Sequence, residues 1–378
     1  MLKFRFVFPA AAGALLFASG CNAGMTTTPQ MPQTAAATAA QPEESAGITP
    51  NFSVLKQLKH LVVIGSTVDP VNGAQNPYGL TVAPITAGKL TAGDLVICNF
   101  NGKSNVQGTG HDIVALHPVE GAKPAHVSQN KALIGCDALA LAPDDTIWGS
   151  AMVANDNPVL DSNGKLITNI SGKPFNQPWG QAFAQPKSGP PAFYETNAGD
   201  GSVVRVNLGS TFTYDVIATG FPVNHGKPGT ALAPSGLAYD AKLDTLYFAD
   251  GDNNTVVALK DVSRIPAGGV KAKDHGMKFT GPSASDARVV VAGAPLNGPI
   301  STALLPNGNL VVGNTLDPAG KNLILEIATK DDKVIEIRNV DKGAAGAIFG
   351  MTVTGTSAAD AKVYFNDDNA NQVEMLER

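Results

Sequence analysis

Residues 233–259 constrain the fold more than any other stretch of the chain. Ser235 to Tyr239, Thr245 to Ala249 and Thr255 to Leu259 read as three short strands in succession, and the gaps between them hold Asp, Lys, Gly and Asn. Those are residues that turn a chain rather than extend it. Arg288 to Ala292 supplies a fourth strand after a long loop. A unit of this size cannot bury its apolar faces alone, so it must either repeat or pack against something else.

It repeats. Aligned on the residue two places after the Pro of Pro-x-Gly, six copies fall at Gly79, Ala138, Gly180, Gly236, Ser301 and Gly350, spaced by 59, 42, 56, 65 and 49 residues. All six residues are small, as expected where inner strands crowd a central axis and a larger side chain would collide. Second strands follow at Leu95 to Cys98, Ile147 to Ser150, Phe193 to Thr196, Leu246 to Ala249, Leu310 to Gly313 and Val363 to Asn366. Third strands include Ile113 to Leu116, Val203 to Val206, Leu323 to Ile327 and Gln372 to Leu376. Outer strands include Ala125 to Ser128, Lys165 to Asn169, Tyr214 to Ala218 and Val334 to Ile337. Asn163-Gly164 and Asn307-Gly308 are strong hairpin turns. Four short antiparallel strands in each of six copies predict an all-β fold, a six-bladed β-propeller over residues 53–378.

The ends of the chain support closure. The last copy stops after its third strand at Leu376, whereas His60 to Gly65 is a strand too many at the start. The economical arrangement makes this N-terminal strand the outer strand of the last blade, which removes the exposed edge of an open ring.

Bulk properties agree. Gly (40) and Pro (26) make up 66 of 378 residues, about 17% against the usual ~12%, an excess suited to many turns and few helices. No interior segment reaches the roughly 20 apolar residues of a membrane span. The net charge of −5 without basic runs argues against a nucleic-acid partner.

The first fifty residues differ from the rest. Lys3 and Arg5 precede an apolar run, Phe6 to Phe17, and then Ala18-Ser-Gly-Cys21, the pattern of a secretory signal over residues 1–20. Cys directly after Gly20 resembles a bacterial lipobox, with Ala18 where Leu is usual; it predicts Cys21 as the lipidated new N-terminus. An ordinary signal cut near Ala18 or Gly20 is the alternative. Residues 21–52, rich in Thr, Ala, Gln and Pro, carry too little apolar surface to order themselves and read as a tether. The expected location is exported, as a membrane-anchored lipoprotein or in the periplasm.

Pro234-Ser-Gly-Leu-Ala-Tyr-Asp240, Leu246-Tyr-Phe-Ala-Asp250 and Asn253-Asn254 resemble the repeat of NHL-type six-bladed propellers, a group that includes SMP-30/gluconolactonase-like and strictosidine synthase-like proteins. Asn76 to Val82, Pro178 to Phe183 and Val363 to Asp367 are weaker copies. The resemblance spans roughly residues 55–378. It implies a fold more than an activity, because this scaffold hosts lactonases, lyases and plain binding domains.

In such propellers the loops entering each blade and those joining second to third strands share one face, which predicts two rings around the channel mouth there. One ring is the middle residue of Pro-x-Gly: Tyr78, Asp137, Trp179, Ser235, Ile300 and Phe349. The other ends the second strand: Asn99, Ala151, Asn197, Asp250, Asn314 and Asp367. The first ring, with three aromatics and an Asp, suits either a small-molecule or peptide pocket or a plug. The second suits turn-capping or ligand contacts.

The resemblance implies a further alternative. SMP-30-like lactonases hold a divalent cation such as Ca²⁺ with a Glu, two Asn and an Asp, and Asn99, Asn197, Asn314, Asp250 and Asp367 supply oxygen donors. No inner strand here offers the Glu. Amidating-lyase relatives hold zinc with three His, but of six His only His111 and His225 fall on the expected face. Asp250 to Asn254 and Asn366 to Asn369 have the flavour of calcium loops without the spacing. Cys98 and Cys136 lie on neighbouring blades; a disulfide and two buried thiols both fit. The expectation is a monomeric exported propeller of the cell envelope, without a cofactor. It binds a small molecule or an envelope protein at the mouth of one face and does no chemistry. A metal-dependent lactonase, hydrolase or lyase is the competing reading.

Overall fold

The structure, a computed structural model, describes residues 52–315, 321–341, 343 and 346–378. The signal segment, Cys21 and almost all of the tether lie outside the described residues. From residue 52 onward the chain is a six-bladed β-propeller. Its inner strands are Gln75–Val82, Cys136–Leu141, Pro178–Ala184, Pro234–Asp240, Pro299–Leu304 and Ile348–Thr354, and each opens an antiparallel blade. In the fourth blade the second to fourth strands are Thr245–Asp250, Thr255–Leu259 and Ala287–Ala292, within a residue of the sequence expectation.

The wheel closes as the chain ends predict. His60–Ser66 pairs antiparallel with Gln372–Glu377, with Leu61 opposite Leu376 and Val62 opposite Met375, so the N-terminal strand is the outer strand of the sixth blade. Six apolar layers then fill the six gaps between neighbouring blades. In the closing gap, Ile64, Tyr364 and Val373 of blade six pack on Leu95, Ile97 and Val114 of blade one. Second strands are sandwiched between two such layers. Leu95–Asn101 and Thr245–Asp250 are buried along their whole length, which is why these strands read as continuous apolar runs rather than alternating ones.

The small inner-strand residues act as spacers. A Cβ on Gly180 of blade three would run into the Ser235 carbonyl of blade four, and one on Gly236 would lie 2.6 Å from the Ile300 carbonyl of blade five. Cys98 and Cys136 form a disulfide, with Cα atoms 5.9 Å apart, that ties blade one to blade two. At the start of the wheel, the buried Glu326 carboxylate of blade five accepts from Ser53 Oγ (2.6 Å), from the backbone N–H of Val54 (3.2 Å) and Leu55 (2.7 Å) and from Asn309 Nδ2 (2.8 Å). Val54, Leu55 and Leu58 pack beside it on Leu305 and Ala361.

Two features depart from the simple repeat. A hairpin, Val270–Lys273 and Lys278–Thr280, leaves blade four and extends the sheet of blade three through a parallel pairing of Ala218 with Val270, covering that blade's outer edge. Blade two has its third strand at Asp156–Leu160. The sequence hides it because Pro158 sits inside. It is tolerated because the ladder to the second strand has no pairing at that residue, passing from Trp148–Val159 to Ala151–Asp156.

Candidate functional site

The first ring converges as the Pro-x-Gly register predicts, but it does not form an open pocket. Tyr78, Trp179, Ile300 and Phe349 are each less than 10% exposed and pack as one cluster with Phe100 and Met152. Tyr78 lies between two rings, stacked on Phe100 at 4.2 Å and on Phe349 at 3.8 Å between centroids. Burial, followed by the nearby carboxylates of Asp368 and Asp137, holds the Tyr78 phenol well above its ordinary pKa. Ser235 is fully buried and donates to the Ala249 carbonyl (3.3 Å).

A loop completes the closure. Residues 220–233, between blades three and four, lay Val223, Ala231 and Leu232 onto the aromatic cluster. Asn224 holds the loop to itself: its Oδ1 accepts from the N–H of Gly226 and Leu232 (both 2.8 Å), and its Nδ2 donates to the Thr230 carbonyl (2.9 Å). The tip rests on blade one, where Gly229 meets the Gln107 side chain. A space of about 20 Å³ remains between loop and ring. On the side of this loop the ring is closed, and on the other side Tyr78, Asp137, Trp179, Ile300 and Phe349 face a cavity.

The second ring points away from the channel. Asn99 Nδ2 donates to the Thr67 carbonyl (2.9 Å), Asn197 Nδ2 to that of Pro174 (3.0 Å) and Asn314 Nδ2 to that of Pro295 (2.8 Å). In each case the acceptor lies on the loop that brings the chain into the same blade, so these amides stitch the entering loop to the end of the second strand. Asp250 accepts from the N–H of Asp252 (3.2 Å) and Asn253 (3.4 Å), and Asp367 from that of Ala370 (3.1 Å), capping their own turns. None of Asn99, Asn197, Asp250, Asn314 and Asp367 lines the channel. Their amide N–H groups and turn-capping oxygens are engaged by the loops, while Asn99 Oδ1 and Asp250 Oδ2 have no hydrogen-bond partner among the described residues.

The same geometry tests the lactonase-type metal. Its Asn and Asp donors do not converge, and among the described residues no group of three or more His, Cys, Asp and Glu could hold an ion. The residues present do not fit that centre. The histidines are equally dispersed. His111 contacts the Thr109 carbonyl and the Gln129 amide, while its neighbour Asp112 turns inward to Asn99, as alternation along a strand requires.

Beneath the plug the channel widens in two steps. A cavity of about 60 Å³ is lined by Asp137, Gln181, Ser301 and Thr302 among leucines and the aromatic ring. The six residues at its lower rim, Leu80, Leu139, Gln181, Leu237, Thr302 and Met351, also line a funnel of about 340 Å³ that opens toward the opposite face. Asp137 is 4% exposed, and neither carboxyl oxygen has a hydrogen-bond partner among the described residues; only the backbone N–H groups of Asp137 itself and Ala138 come near. Burial and then the Glu195 carboxyl hold its pKa well above the carboxylate range.

Glu195, which sequence reasoning missed, supports this cavity from the second strand of blade three. Its oxygens accept from Ser150 Oγ (2.6 Å) and Gln181 Nε2 (2.7 Å), and burial pushes its pKa up to about 8 in spite of those bonds. A signal was present: within Phe193-Tyr-Glu-Thr196 it is an acidic residue in the middle of a second strand, where the other copies place apolar or small residues.

The sequence matches no family model and no curated protein. Solved structures share the fold. A gluconolactonase from Xanthomonas campestris superposes with TM-score 0.53 at 14% identity, over 84% of this chain and 89% of its own. Virginiamycin B lyase from Staphylococcus aureus, crystallised as an inactive variant with quinupristin, gives 0.50 at 14% identity over 84% and 99%. A chain from a nidogen/laminin complex gives 0.52 at 15% over 75% and 87%. At these identities the likeness establishes the propeller and nothing about activity.

Proposed function

We propose that this protein is an exported, lipid-anchored propeller of the bacterial cell envelope that binds a small molecule inside its channel and catalyses no reaction there. The observation that carries this reading is the asymmetry of the channel. It is filled with side chains at the face where the loops enter the blades and open as a 340 Å³ funnel at the other, a size suited to a small ligand. The side chains that would build a metal centre in a lactonase of this fold are committed to loops. A disulfide between blades agrees with an oxidising compartment, and Cys21 after Gly20 supplies the anchor.

The competing reading, a hydrolase or lyase, draws on Asp137 and Glu195, two buried carboxyls beside one cavity whose pKa values burial raises, since shifted groups of this kind concentrate at functional sites. Two measurements separate the readings. In a thermal-shift screen of small molecules, hits that use the funnel are lost in Thr81→Trp, which narrows it, and kept in Leu232→Ala at the plugged end. A panel of lactones with Ca²⁺, Mg²⁺, Mn²⁺ or Zn²⁺ is expected to show only background turnover, and turnover well above background overturns the binding reading. For the anchor, Cys21→Ala is expected to release the protein from membranes.

A further inference from the structure

We propose that the inner end of the channel is a seat for an ammonium group, reached through the funnel and carried on an apolar chain. The inference rests on the channel-binding reading above and names the ligand chemistry. Five buried oxygen atoms without a hydrogen-bond partner belong to four residues that line the one 60 Å³ cavity: both carboxyl oxygens of Asp137, Gln181 Oε1, Ser301 Oγ and Thr302 Oγ1. They come from blades two, three and five, and all four side chains are less than 9% exposed. Leaving a buried polar atom unpaired costs about 1–3 kcal/mol, so a cluster of five marks a place where a partner belongs.

The chemistry of that partner follows from which atoms are free. The Gln181 amide donates through Nε2 to Asn157 Oδ1 (2.9 Å) and to Glu195 Oε2 (2.7 Å), an orientation that leaves its carbonyl oxygen over. The carboxyl of Asp137 offers acceptors, and the two hydroxyls accept readily. An ammonium has three donors and no acceptor, which matches this set. Water would need a hydroxyl or a protonated Asp137 to turn donor toward it, whereas an ammonium uses every one of these groups as an acceptor. A Ca²⁺ ion takes about six to eight oxygen ligands, more than this set supplies. Leu80, Leu139, Leu237 and Met351 form the collar below and suit an alkyl chain running down the funnel. Burial, and then the neighbouring Glu195, raise the Asp137 pKa well above the carboxylate range. An arriving cation reverses that balance, so the carboxyl gives its proton to solvent and binding strengthens as pH rises.

The test uses the purified full chain, titrated calorimetrically with hexylamine, Nα-acetyl-lysine amide, hexan-1-ol and CaCl₂ in two buffers of different ionisation enthalpy. Saturable amine binding with proton release is expected. It should weaken by roughly tenfold or more in Asp137→Asn, an uncharged isostere of the protonated native side chain, and by a smaller factor in Ser301→Ala. Binding of hexylamine but not the lysine derivative identifies free amines as the source; the reverse identifies a lysyl side chain. Amine binding that is absent, or indifferent to Asp137→Asn in a folded protein, overturns the proposal and leaves waters as the occupants, and so does CaCl₂ binding with the same dependence on Asp137. Hexanol binding that Thr81→Trp blocks and Asp137→Asn leaves unchanged overturns the ammonium seat while the channel reading stands. Lactone turnover overturns the channel reading itself.

Discussion

Replacing Glu195 by Gln should make the protein more stable at alkaline pH and leave it nearly unchanged in acid. The carboxyl is 2% exposed and its pKa is pushed from 4.5 to about 8 by burial. The folded state therefore keeps a proton that the unfolded chain has released, and stability present below pH 4.5 is lost as pH rises toward 8. That interval bounds the loss at roughly 5 kcal/mol, and relaxation with water entry brings the expected figure to roughly 2–4 kcal/mol. A Gln amide preserves the local bonds: its oxygen can accept from Gln181 Nε2 at the place of Oε2, while its NH₂ donates to Ser150 Oγ at the place of Oε1. For a chain of this size about 1.5 °C accompanies each kcal/mol. Scanning calorimetry from pH 4 to 9 should then show the variant melting roughly 3–6 °C above wild type at pH 9, with the two curves meeting near pH 4.5. Parallel pH profiles for the two proteins would refute the argument, because they would mean that Glu195 ionises as freely in the wheel as in the unfolded chain.

Two further outcomes follow from the packing. Reducing the Cys98–Cys136 disulfide, or replacing both residues by Ser, removes a link across 38 residues and is expected to cost about 3–4 kcal/mol in denaturant unfolding, with reductant having no effect on the double variant. Glu326→Ala leaves the Ser53 hydroxyl and the Val54 and Leu55 amides without their buried acceptor; hydrogen exchange should accelerate across residues 53–58 by about 2–3 kcal/mol in opening free energy, while the inner strands stay protected.

The wheel was legible because its strands are short, regular and separated by turn residues, so Leu246-Tyr-Phe-Ala249 and its equivalents could be placed almost to the residue. The closing strand was legible for a related reason, since an unpaired surplus at one end matched a deficit at the other. The plug was not. Val223, Ala231 and Leu232 cover the aromatic ring because Asn224 folds their loop back on itself, and the path of a loop across a face depends on groups that meet only after folding. Asn99, Asn197 and Asn314 had the right position in the repeat but an undetermined direction, and only the carbonyls of Thr67, Pro174 and Pro295 decide it. The pairing of Cys98 with Cys136 likewise required a Cα separation that no spacing in the chain supplies.

The two ends of the channel are built on opposite principles. At the plugged end, stacked rings and the loop of residues 220–233 exclude water, so that end contributes apolar burial at roughly 1.5–3 kcal/mol for each large side chain. Directly below, five unpaired oxygens and two carboxyls whose pKa values burial raises subtract from stability. A wheel selected for rigidity alone would extend the apolar filling downward, and Leu80, Leu139 and Leu237 show that the inner strands accommodate Leu at this level. Gln181 and Thr302 interrupt that ring toward the side where the funnel opens. The chain also enters the wheel on that face, where Leu55 and Leu58 rest against Leu305. Exchange with the interior is thus favoured at one end, and in the proposed ammonium seat the stability lost in the middle of the channel is recovered when a donor-bearing group arrives from there.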